Sequence, residues 1–201
     1  MLPKNYKDIH GWCTVEKANK LIDLVISNKP SLVVELGVFG GKSLLPFALA
    51  CKINNNNSKV IGIDSWTVDA SLEGKNDIEN DKWWSKINYN EMQKYTETIM
   101  KLNQVDSIVE LWKFKSIDVI DKFENNSIDI LHQDSNHSEE ISTKEVEYYF
   151  DKVKHGGFWV FDDINWSTTQ KAQQMLLEKG CIEIFVDPLN TWKIFFKPFN
   201  Y

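Results

Sequence analysis

The chain has 201 residues, 42% of them hydrophobic and 26% charged, with a formal net charge of −6. That size and composition suit one soluble domain with a sizeable core, and the acidic balance, with no run of Lys or Arg longer than two, argues against a nucleic-acid backbone as partner. The longest apolar runs, such as LPFALA at 44–49, are far too short to span a bilayer, and MLPKNYKDIH lacks the apolar centre of a signal peptide, so no membrane partner is expected.

Three widely spaced cysteines, Cys13, Cys51 and Cys181, form no CxxC pair and fit a reducing compartment, the cytoplasm, rather than a disulfide framework or a zinc ribbon. Along the chain, 14–28 places Ala18, Leu21, Ile22 and Val25 on one helical face, with Thr14 as N-cap and Pro30 beyond the end. SLVVEL (31–36) is a continuous buried strand ending at Gly37, followed by a helix over 41–52. The run NNNN (54–57) turns the chain into a second strand, KVIGID (59–64). Residues 65–85 have no clear period and hold Trp66, Trp83 and Trp84, a functional loop by its length.

A helix over 86–103 leads to the strand SIVELW (107–112), and KSIDVIDKF reads as a short helix. SIDILHQD (127–134) is the fourth strand, 138–153 an amphipathic helix, and GGFWVFDD (156–163) the fifth strand, entered through a paired-glycine turn. A helix over 167–179 is capped by Gly180, and 181–187 with 191–197 form an antiparallel hairpin. This order predicts an α/β fold: a Rossmann-like, doubly wound, seven-stranded sheet, mainly parallel with a C-terminal antiparallel hairpin. The expected layout is one domain over 1–201, with 1–30 as a helical lid segment and 31–201 as the core.

VVELGVFGGKSL (33–44) superficially suggests a phosphate loop. A Walker A loop needs a glycine five positions before the one preceding its lysine, and Leu36 stands there, so Lys42 is read as a helix-surface residue. Gly37, Gly40 and Gly41 let the backbone approach a ligand, or merely fit strand to helix. Asp64 closes the second strand, where an acidic side chain grips an adenosine ribose or, alternatively, makes an Asx turn. Glu35, two residues before Gly37, would repel a pyrophosphate but complement a sulfonium donor with its ammonium group. The combination favours S-adenosylmethionine over a dinucleotide.

Asp134 at the fourth strand's end and the pair Asp162-Asp163 at the fifth's converge, and crowded carboxylates suit a hard divalent cation such as Mg²⁺; the alternative is that they cap helices and turns. His137 stands beside them as a general base. His10, His132 and His155 lack such neighbours, and His132 is read as packed.

With these residues in place, the chain resembles class I S-adenosylmethionine-dependent methyltransferases. More narrowly, it resembles the metal-dependent O-methyltransferase group of the methyltransferase 24 type, with its macrolide-sugar and cephalosporin-tailoring relatives. VVELGVFGGKSL, VIGIDSW, IDILHQDSNHSEE and GGFWVFDDINW carry the resemblance. It implies cofactor contacts from Glu35, Gly37, Ser43, Asp64, Ser116 and Gln133, metal ligation by Asp134, Asp162 and Asp163, and a base role for His137 or Asp134. Where many relatives have Asp-Gly-Asp-His, this chain has Asp134-Ser135-Asn136-His137, so position 136 carries no charge.

The expected reaction is Mg²⁺-assisted methyl transfer to a hydroxyl of a sugar, free, in a glycan or in a glycoside, with Trp66, Trp83 and Trp84 roofing the acceptor. The alternatives are a catechol-like acceptor, a nucleotide-cofactor oxidoreductase on the same sheet, and a non-catalytic cofactor-binding domain of a larger glycan-assembly protein. Self-association or fusion to glycan-assembly domains is compatible with the sequence.

Overall fold

The computed structural model describes residues 1–55, 57–75 and 77–199. Helix α1 (Val15–Asn28) opens on Thr14, whose hydroxyl accepts the Lys17 N–H, and closes on Lys29 in a left-handed conformation. Its buried stripe includes Ala18, Leu21, Ile22 and Val25, as the periodicity predicts. Strand β1 (Leu32–Leu36) follows, then α2 (Leu44–Asn54), whose side chains from Leu44 to Ala48 are all buried between α1 and the sheet. Lys42 precedes this helix instead of lying on it, and its ammonium donates to the Lys7 carbonyl at 3.1 Å. Asn56, within the expected NNNN turn, lies outside the described residues.

Strand β2 (Lys59–Asp64) has the predicted bounds. The segment read as a loop contains two short helices, α3 (Val68–Ser71) and α4 (Ile78–Trp84), each started by a side-chain cap, Thr67 and Asp77. Helices this short show no period, so only the caps could have announced them. Helix α5 (Tyr89–Leu102), β3 (Val109–Lys113), two 3₁₀ turns (Ser116–Asp118 and Ile120–Lys122) and β4 (Ile128–Gln133) complete the first half.

Helix α6 (Glu139–Tyr149) ends four residues before the predicted bound, because Val153 already belongs to β5 (Val153–Asp162). Gly156 and Gly157 therefore lie inside the strand. They form a bulge: Ile128 pairs with Val153 while Ile130 pairs with Phe158, so β5 carries extra residues between them. A 3₁₀ turn (Ser167–Thr169) leads to α7 (Gln170–Glu178), and β6 (Ile182–Val186) and β7 (Trp192–Phe196) form the expected antiparallel hairpin.

The seven strands run in the order β3-β2-β1-β4-β5-β7-β6, parallel except for β7, which opposes β5 and β6. Alternation along each strand feeds two cores. Val33, Val60, Ile130 and Val160 face α1, α2 and α5, while Val34, Ile61, Leu131 and Phe161 face α6 and α7. The strand order reverses between β1 and β4, which places the ligand crevice beyond their carboxyl ends. Among the described residues, no helix is long and apolar enough to cross a membrane. The three cysteines are buried and unpaired to one another.

Candidate active site

A cavity of about 940 Å³ opens at that crevice, within the range of cofactor pockets. Gly37, Ser43, Asp64 and Ser116 line one half; Asp134, His137, Asp162 and Asp163 line the other. Glu35 and Gln133 do not line it.

Gly37 has φ 83°, and any Cβ there would overlap the Asp134 carbonyl. The glycine is thus required by the close approach of β4, besides any contact with a ligand. Asp64 holds the turn from the side: its Oδ2 accepts the Val38 and Phe39 amides at 3.0 and 2.9 Å, and its Oδ1 accepts the Trp66 amide at 2.7 Å. The Asx turn expected as an alternative is present, in a carboxylate that also faces the cavity. Burial pushes Asp64 up from the usual carboxylate range, and the three amides work against that shift.

Phe39 and Trp66 adopt left-handed conformations, φ 49° and 45°, uncommon for bulky residues. The Phe39 carbonyl is pinned by the Trp66 indole at 3.0 Å and the Thr96 hydroxyl at 2.7 Å. Trp66 is thereby committed to the core, 2% exposed, and does not roof the acceptor as expected. Trp83 and Trp84 do face the cavity. They are joined by Phe39 and by Trp12, which stacks on Phe39 at 5.4 Å and meets Trp83 edge-on at 5.2 Å. Trp12 comes from the segment before α1 and carries no periodic signal.

Strand alternation explains why Glu35 and Gln133 turn away from the cavity. Glu35 points with Val33 towards α2, where the Ser43 hydroxyl donates to its Oε1 and its β4 register partner His132 lies 3.6 Å away. Gln133 points the opposite way and is saturated: its amide donates to Glu145 at 2.9 Å and to the Ser142 carbonyl at 3.0 Å, and its oxygen accepts the Trp159 indole at 3.0 Å. Glu145 of α6, which the sequence did not single out, also accepts from the Ser116 hydroxyl and from Ser135 at 2.5 Å. It ties the end of β4 to the turn after β3, and burial pushes its carboxyl up to about 7.

At the strand tips, Asp134, His137 and Asp163 each offer a ligand atom within 4.8 Å of the others. His137 Nε2 lies 2.9 Å from Asp163 and 4.0 Å from Asp134. Burial opposes charge on His137, but the two carboxylates outweigh it and raise the imidazole to about 10. Burial and neighbouring Asp162 push Asp134 up to about 7. Asp163 itself has φ 51°, and its amide donates to Asp162 Oδ1 at 3.1 Å. Two oxygens and an imidazole nitrogen so placed fit a divalent cation. Asp162, the third expected ligand, turns away to the ammonium of Lys17. His132 is packed against Phe47 as expected, yet it is not without charged neighbours, since Lys17 lies 3.3 Å from its Nε2. Asn136 donates to three carbonyls of the α3 segment, those of Ala70, Ser71 and Glu73, and so anchors that segment in the place of a charged ligand.

No protein of curated function matches the chain in sequence. Among solved structures it is similar to the O-methyltransferase NovP, with a TM-score of 0.70 and 15% identity over 91% of this chain and 78% of that one. It is also similar to the SAH-bound methyltransferase PaMTH1 of Podospora anserina, at 0.68 and 12% over 92% and 80%. A third likeness is to TomG of Streptomyces achromogenes, an O-methyltransferase involved in tomaymycin synthesis and solved with SAM, at 0.65 and 12% over 92% and 81%. These likenesses establish the shared fold. A family model described as a methyltransferase domain, Methyltransf_24, matches residues 34–164, from the core of β1 to just past the Asp162-Asp163 pair. The chain belongs to that methyltransferase family.

Proposed function

We propose that the chain moves the methyl group of S-adenosylmethionine to a hydroxyl oxygen of a sugar, with Mg²⁺ or another hard divalent cation assisting. The observation that carries this is one cavity uniting the glycine turn, Asp64 and Ser116 with the Asp134–His137–Asp163 group. NovP and TomG are O-methyltransferases, and TomG was solved with SAM, which supports the donor and the receiving atom. Membership in a methyltransferase family removes the oxidoreductase alternative.

The transfer is an in-line displacement: the methyl carbon leaves sulfur for oxygen, sulfur keeps the bonding pair, and the acceptor loses its proton. Asp134 lines the cavity and, with its carboxyl raised to about 7, is the group suited to receive that proton, whereas His137, raised to about 10, already carries one. A cation held by Asp134, Asp163 and His137 would lower the acceptor's pKa. Trp12, Phe39, Trp83 and Trp84 offer flat faces to a ring, and Asp64 with the glycine turn fixes the donor's half.

Calorimetry with S-adenosylmethionine and with NAD tests the donor: the first binds and the second does not, and absence of S-adenosylmethionine binding ends the proposal. Turnover on sugars and catechols, with and without EDTA, then tests the acceptor and the cation. Binding without turnover on any acceptor would instead identify a non-catalytic cofactor-binding domain.

A further inference from the structure

The two adjacent carboxylates at the tip of β5 face different partners. Asp163 meets His137 and shares a ligand-sized space with Asp134. Asp162 meets Lys17, whose side chain is 5% exposed and whose ammonium touches Asp162 Oδ2 while lying 3.3 Å from His132 Nε2. Lys17 stands on α1, upstream of the segment matched by the family model. Its placement follows from the helix itself: Lys17 falls in the first turn, beside the buried Ala18 and one turn before Leu21, so its stem runs inward with the apolar stripe.

A lysine buried this far needs a carboxylate, and removing either partner of such a pair leaves an uncompensated charge. A divalent cation bound to Asp162 would have to share that carboxylate with an ammonium already in contact with it, and two cations at such separation repel strongly at low dielectric. The surroundings still call for positive charge: Glu35 Oε2 and His132 Nδ1 are fully buried without a hydrogen-bond partner, and Glu35, His132 and Asp134 lie within 4.8 Å of one another. Lys17 is the fixed cation of this corner.

We propose that Lys17 is a positioning residue that keeps Asp162 out of divalent-cation coordination, so that a cation at these strand tips is held by Asp134, His137 and Asp163 alone. This rests on the proposed cation-assisted chemistry only for placing an ion at the tips. It departs from the three-aspartate ligand set that the family resemblance implies. It also gives the centre one imidazole and two carboxylates, a donor set that accepts Mn²⁺ readily.

The test is Mn²⁺ binding, followed by electron paramagnetic resonance, to the wild-type protein and to Lys17→Met, Lys17→Gln, the Lys17→Met, Asp162→Asn double variant and Asp163→Asn. Removing the ammonium frees a carboxylate, so Lys17→Met should bind Mn²⁺ at least about tenfold more tightly than wild type, the scale of one supporting interaction at a metal site. Asp163→Asn should weaken binding by about the same factor, and adding Asp162→Asn to Lys17→Met should cancel the gain. Damage to the fold loosens a metal site, and tightening that came only from the lost repulsion of the ammonium would persist when Asp162 is also neutralised. If Lys17→Met does not fold, Lys17→Gln keeps a hydrogen-bond donor for Asp162 and carries the same expectation. Should wild type bind no Mn²⁺, acquisition of binding by a Lys17 variant supports the proposal. No gain in either Lys17 variant overturns it, as does a gain that persists in the Lys17→Met, Asp162→Asn double variant. Calorimetry with S-adenosylmethionine reports separately on the methyl-donor reading, so either idea can fail while the other stands.

Discussion

Around the glycine turn, the protein satisfies its own polar groups; at the strand tips, it does not. Asp64 accepts three backbone amides, the Phe39 carbonyl accepts two side chains, and Glu145 gathers Ser116, Ser135 and Gln133. The other half crowds Asp134, His137, Asp162 and Asp163 together, and among the described residues Lys17 and the imidazoles offset the carboxylates there. The first region is a mould held by its own hydrogen bonds, and the second gathers charges that only partly offset one another. Pre-built donors and acceptors need no rearrangement when a ligand arrives, whereas crowded like charges create affinity for a cation or a proton.

The largest expected effect lies where the two halves touch. Gly37→Val would drive a side chain into the Asp134 carbonyl at φ 83°, and we expect a loss above about 4 kcal/mol, measured by denaturant unfolding. A well-folded variant would show that the mould is softer than its packing indicates. Next, Asp163→Asn should lower cation-stimulated turnover by about 10- to 100-fold while leaving S-adenosylmethionine affinity nearly unchanged. Equal losses in steady-state kinetics and calorimetry would merge the halves that the geometry separates.

Glu145 permits a pH test confined to the mould. Burial raises its folded pKa to about 7, above the ordinary 4.5 of a free glutamate, so the stability it contributes is present below about pH 4.5 and lost as pH rises through about 7. Relative to Glu145→Gln, the wild-type melting temperature should therefore fall across that window, and a constant difference would refute the assignment. The smallest effect is expected at the rim. Trp12 is 67% exposed, so Trp12→Ala should change stability by no more than about 0.5 kcal/mol, while weakening acceptor binding by about 0.5–1.5 kcal/mol in kinetic titrations.

Much of this was legible before any coordinates. The stripe of α1, the bounds of β2 and the C-terminal hairpin follow from local periodicity and turn chemistry, and the candidate residues at the strand tips stand at predictable places. What escaped detection had no local signal. Lys17 looks like any helix-surface lysine, Trp12 stands in an aperiodic segment, and Glu145 sits with three other glutamates in an amphipathic helix. Trp66 was misplaced for the complementary reason: membership of a loop does not reveal which way a ring turns, and here it turns inward to hold Phe39.

The order of strands and helices, the glycine bend and the acidic strand ends belong to the sequence alone, because they depend on neighbours a few positions apart. The partner of each carboxylate was decided only when the chain closed. Asp162 and Lys17 meet on the face of the sheet that α1 covers, and Asp163 meets His137 because β4 and β5 end side by side. Electrostatic pairing depends on distance in space, and for these groups the tertiary fold supplies that distance.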